Sequence, residues 1–89
     1  MIRSVRFIPA SDAEAERGLL AYVKLEFGPL ILDGVTLRRT LDGRLTLGWP
    51  ERTDRQGNRH PLMRPISDAA RLELEDAVLR ELNRQEAAR

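Results

Sequence analysis

Cysteine is absent from this 89-residue chain, which excludes disulfide staples, thiolate metal sites and thiol catalysis. The same absence argues against a small secreted fold held together by cross-links. Histidine occurs once, at His60, so no metal cluster can be assembled from histidine and cysteine. A catalytic triad would have to use that one ring, whose sequence neighbours Arg59, Pro61 and Arg64 disfavour an imidazolium rather than orient a base. Surface or core packing is the better reading of it.

Aromatic residues are scarce, with two phenylalanines, one tyrosine and one tryptophan. A stacking platform for single strands is weakly supported by so few rings, and Trp49, ending its strand beside a basic segment, is the one candidate. No apolar run approaches the roughly 20 residues that cross a bilayer, so a cytoplasmic protein without a membrane partner is expected. Glycine spacing offers no phosphate loop: Gly28, Gly34, Gly43, Gly48 and Gly57 each stand where a turn or bulge wants one. With no zinc motif, nucleotide fingerprint or nucleophile elbow, the expectation is no enzyme, no cofactor, no metal and no small-molecule substrate.

A single domain, residues 1–89, is all the length allows. Such a chain buries only about 60–65 % of the surface it exposes when unfolded, so help from a partner subunit is plausible.

Fifteen basic residues against 14 acidic ones leave a net charge of +1, but the charges are segregated. Between Arg38 and Arg64 seven arginines face Asp42, Glu51 and Asp54, a local net of +4; from Ser67 onward four arginines face six acids. Such a chain can present a positive face while staying near neutral. Fourteen of the 15 cations are arginine, which favours forked contacts to phosphate or carboxylate, with coding bias as the bland alternative.

Alternating apolar residues predict strands at about 2–8, with Val5 and Phe7 on one side, and at 19–27, with Leu19, Ala21, Val23, Leu25 and Phe27 on one side. Ser11 to Arg17 is too short to hold a helix unaided and is read as a loop. A third strand over about 30–40 is interrupted by Asp33-Gly34, which suggests a bulge. Asp42-Gly43 between two alternating segments predicts a hairpin with a type I′ turn and a fourth strand over 44–49. Pro50 then opens an arginine-rich arm, with a turn over 54–58 and a short edge strand over 60–66.

Ser67 suits a helix N-cap, and a helix is predicted over 68–86 with Ala70, Leu74, Ala77, Val78 and Leu82 as its apolar stripe. Arg71 with Glu75 and Asp76 with Arg80 stand at i,i+4, which gives these otherwise solvated carboxylates a structural role. Leu72 and Leu79 fall near the opposite side. Either a second subunit covers them, which makes them candidate dimer-interface residues, or they are two exposed leucines of an ordinary kind.

Arm and helix together resemble the stage V sporulation protein G (SpoVG) family of bacterial septation regulators. That family carries P-S-K-R-T-P-D-G, then H-P-I-N and a helix containing R-x-x-I-x-D-A-V-L. Pro50 and Gly57 keep the separation of the first motif, Arg64-Pro65-Ile66-Ser67 falls on H-P-I-N, and Arg71, Leu74 and Asp76-Ala77-Val78-Leu79 fall on the helix motif. Val5-Arg6-Phe7 is similar to an opening V-R-L, and Ala21-x-Val23-x-Leu25-Glu26 to A-x-I-x-L-D. The resemblance implies a small sheet with a C-terminal helix, a dimer with helices packed or swapped across subunits, and binding of DNA, also RNA, in a regulatory role touching septation and sporulation.

The combined expectation is an α+β domain: an antiparallel sheet of four to five strands followed by one C-terminal α-helix, acting as a homodimer on DNA or RNA. Arg52, Arg55 and Arg59 would lie on backbone phosphates, with Arg64 and Arg71 as further contacts. A protein-interaction module acting in cell division is the alternative, and a solvated arginine-rich loop without a partner is the bland one.

Overall fold

The computed structural model describes residues 2–88. Its elements in chain order are β1 (Ile2–Pro9), α1 (Asp12–Glu16), β2 (Leu19–Phe27), β3 (Leu30–Arg39), β4 (Leu45–Gly48), β5 (Glu51–Thr53), β6 (Arg59–Pro61) and α2 (Asp68–Ala87). β1 to β4 form an antiparallel meander in sequence order, and β5 and β6 form a separate two-stranded ladder. The architecture is α+β, as expected.

Period-two patterning decides which sheet face is buried. Val5, Ala21, Val23, Leu25, Val35, Leu37 and Leu47 form the core with Val78 of α2, and Phe7, Leu32, Trp49, Met63, Leu79 and Leu82 pack around it. The register of β2 on β3 slips between Val23 opposite Val35 and Leu25 opposite Leu32, so Asp33 and Gly34 together oppose Lys24. This is the expected bulge, and it lets Val35 and Leu32 both return to the core face.

Several expectations are corrected. Ser11 to Arg17 is not a loop: α1 occupies it, because Ser11 and Glu14 form a reciprocal capping box and Glu14 also accepts from the Tyr22 hydroxyl. A helix too short to stand alone is held by a tertiary contact. The β3–β4 turn is not type I′, since no described non-glycine residue has positive φ. Gly43 N donates to Thr40 O at 3.0 Å, Thr40 N donates to Arg44 O at 2.8 Å, and Gly43 alone has φ of 89°, which makes a three-residue loop. The edge strand over 60–66 is shortened to Arg59–Pro61: Leu62 N makes one more bond in the same register, to Pro50 O at 3.0 Å, and Pro65 beyond it has no donor to offer. Asp76 and Arg80 form no side-chain pair; Arg80 Nε instead donates to the Asp76 carbonyl at 3.4 Å.

Helix α2 begins as predicted, with Ser67 Oγ accepting from Ala70 N at 3.1 Å. Its buried face is rotated from the predicted stripe. Glu75, expected to be solvated, is only 8 % exposed and accepts from Thr46 Oγ1 and from Leu47 N on β4. On the far side of the sheet Gln85 Nε2 donates to Val5 O of β1 at 2.9 Å. One helix thereby satisfies backbone groups on both outer strands, where unpaired edges would otherwise invite aggregation. The same rotation separates the two leucines read as a back-face pair: Leu79 packs on its own core, while Leu72 stays 52 % exposed.

Among the described residues no helix is long and apolar enough to cross a membrane.

Candidate nucleic-acid interface

β4 ends at Gly48, and Pro50 leads the chain into the separate β5–β6 ladder. It passes so close to Gly34 that a Cβ on that glycine would stand 3.0 Å from Pro50 Cβ, so the bulge glycine and the start of the arm are in direct register. From there Glu51–Thr53 runs out and Arg59–Pro61 returns, with Arg52 opposite His60 and Thr53 opposite Arg59.

The tip of this hairpin is closed around Asp54. Its backbone N–H donates to Asn58 O at 2.9 Å and its carbonyl accepts from Gly57 N at 3.1 Å. One carboxylate oxygen accepts from Gln56 N at 3.0 Å and Asn58 N at 2.9 Å, and the other meets His60 Nε2 at 2.8 Å. The His60 imidazole first, and the Asn58 and Gln56 amides after it, hold the Asp54 carboxyl below its usual range. His60 thus faces a carboxylate, not the guanidinium groups adjacent to it in sequence, and its role is to clamp the turn.

This arrangement removes Asp54 from competition for the arginines. Arg52, Arg55 and Arg59 are all exposed on the hairpin. Arg59 Nε lies 3.5 Å from Glu51 Oε1, an exposed pair of small energetic weight. Arg52 and Arg55 have no acidic partner among the described residues.

Arg64 and Arg71 are brought together elsewhere, in an open cleft at the start of α2 with Ser67 and Asp68. Arg64 is exposed. Arg71 is half-buried and held by Glu75 at 3.2 Å and by Asp68 at 3.8 Å, so the molecule's own acids take it up more fully than they do Arg59. The five residues therefore divide into a hairpin group of three and a helix-start pair.

Trp49, the sequence candidate for base stacking, packs against the core and lines an apolar pocket of about 270 Å³ with Leu25, Phe27, Leu32, Met63 and Leu74. Its indole Nε1 is buried without a hydrogen-bond partner among the described residues. The indole is a packing element there. Sequence reasoning also missed the Asp54–His60 clamp; the spacing of an acid six residues before the sole histidine, across a turn, is the signal that could have found it.

Among the described residues no three of histidine, cysteine, aspartate and glutamate are grouped to hold a metal ion. Comparison of the chain with protein-family models, curated proteins and solved structures found no match to any of them.

Proposed function

We propose that this chain is a cytoplasmic nucleic-acid-binding protein, acting on DNA or RNA, in a regulatory role of the septation and sporulation type. The observation that carries the reading is the β5–β6 hairpin. Three exposed arginines sit on a short rigid element whose central acid is consumed by its own turn amides and by His60. Guanidinium groups fixed in this way meet phosphate oxygens with less ordering cost than the same groups on a loose loop. Contacts of this kind position a protein on the backbone; no base-reading element enters the proposal.

The reading includes a homodimer, in which two hairpins related by a two-fold axis address two segments of one duplex. Ile66 is 95 % exposed and follows Pro65, which lines the apolar pocket beside Trp49, and Leu72 is 52 % exposed; cover of these side chains by a second copy would suit a domain of this size. The same exposed leucine and isoleucine favour the second reading, a protein-interaction module for a division component. Titration against duplex DNA at several salt concentrations separates the two: phosphate binding falls with a slope of roughly −0.9 per contact, whereas apolar docking does not.

A further inference from the structure

The register of the meander places Ile8, Tyr22, Thr36 and Gly48 in one continuous row across all four strands. Their neighbours Ala21, Val35, Leu37 and Leu47 point into the core, so this row lies on the sheet face away from α2. Tyr22 is 41 % exposed at the centre of that face. Its hydroxyl donates to Glu14, and the capping box fixes Glu14 in turn, so the ring is anchored at its tip while its body remains open.

Cations flank the ring on both sides. Arg6 is opposite Lys24, one same-face step along β2 from Tyr22, and Arg38 is one same-face step along β3 from Thr36, in the other direction. Each arginine therefore stands one strand, about 4.8 Å, and one step, about 6.8 Å, from the tyrosine. A Cβ at Gly48 would collide with Thr36 Oγ1 and stand 3.3 Å from Arg38 Cδ, so the Arg38 stem lies over β4, on the side of Thr36 away from Tyr22, where it can meet a phosphate further along a bound strand. Like charges directly opposite one another destabilise a strand pair, and Arg6 and Lys24 are such a pair. Asp33 relieves Lys24 at 3.3 Å, which leaves Arg6 and Arg38 without an acidic partner among the described residues.

Resting on the nucleic-acid reading above, we propose that this open face binds single-stranded nucleic acid, one base stacking on Tyr22 and the adjoining phosphates meeting Arg6 and Arg38. An exposed ring on a flat sheet can take only a base whose own face is free. A duplex keeps its bases stacked on each other, so it is left to the hairpin arginines. The face selects strandedness rather than sequence, since every base has a stacking surface.

The experiment uses the full chain with a labelled homopyrimidine single strand and, separately, a duplex of the same length, at several salt concentrations. Tyr22→Leu is expected to weaken single-strand binding about 5- to 150-fold, the range for one stacked base, with the salt slope unchanged. Tyr22→Phe keeps the ring and stays within about twofold of the parent, and Arg38→Ala lowers the single-strand salt slope by about 0.7. Duplex binding is the same in Tyr22→Leu and the parent, and circular dichroism confirms that each variant is folded. Unchanged single-strand binding by Tyr22→Leu, or an equal loss on duplex, overturns the inference while leaving the arm reading in place. Absence of binding to either nucleic acid by the parent overturns both.

Discussion

Thr46 and Glu75, 29 residues apart, are joined by a 2.9 Å hydrogen bond from the Thr46 hydroxyl to a carboxylate oxygen of a glutamate that is 8 % exposed. The other carboxylate oxygen of Glu75 accepts from Arg71 at 3.2 Å, so edge strand β4, helix α2 and the cleft at the start of that helix share one group. Glu75→Ala leaves the Thr46 hydroxyl and the Leu47 amide without this acceptor and is expected to cost about 1–3 kcal/mol, read from urea denaturation. Thr46→Val removes a single donor and costs about 1 kcal/mol. Equal stability of Glu75→Ala and the parent would show that the carboxylate is not holding the edge.

Gly34 controls where the arginine hairpin sits. An alanine there must adopt φ near +87° and also push against Pro50 Cβ at 3.0 Å, whereas Gly43, at φ of +89°, has nothing within 4 Å of an added Cβ. Gly43→Ala is expected to lose roughly 1–2 kcal/mol from backbone strain alone. Gly34→Ala loses more than that and also weakens DNA binding several-fold, because Pro50 is the hinge of β5. Matching melting curves and matching affinities for the two variants would contradict this.

Acid sensitivity has a calculable sign. The Arg84 guanidinium, with the Gln85 amide, lowers the Glu81 carboxyl from 4.5 to about 2, and His60 with two turn amides lowers Asp54. Both groups have folded values below their unfolded ones, so their stabilisation is complete above about pH 4.5 and is lost as pH falls from there toward 2. Melting temperature is expected to be flat from neutral pH down to that point and then to decline. Glu81→Gln flattens part of the decline, and added salt shrinks it further because the pair is exposed. A parent and Glu81→Gln that decline in parallel at low salt would count against the assignment.

Much of the fold was legible because alternation is a local property. Ala21, Val23 and Leu25 identify the core face of β2 without reference to any other segment, and Ser67 marks the helix start by its own chemistry. What sequence could not convey were contacts made at a distance. The Tyr22 hydroxyl that reaches Glu14 adds a hold on α1 from outside its own segment, and Glu75 is buried because Thr46 and Leu47 receive it. The candidate site was legible in part for the same reason. Arg52, Arg55 and Arg59 belong to one short segment and stay together, whereas Arg71 was withdrawn by carboxylates and Trp49 by the core. Alternation puts Tyr22 on the face opposite Ala21 and Val23, but only strand pairing shows which cations on β1 and β3 are its diagonal neighbours.

The central claim is that guanidinium groups on the β5–β6 hairpin neutralise phosphates, and the most direct measurement compares the parent with Arg52→Ala/Arg55→Ala/Arg59→Ala on duplex DNA across a salt series. All three side chains are exposed, so the variant is expected to keep its circular dichroism spectrum and melting temperature. Its affinity falls steeply at low salt, and its log–log salt slope flattens by roughly 2.7, about 0.9 for each phosphate contact removed. A folded variant that binds as tightly as the parent, with the same slope, would contradict the account.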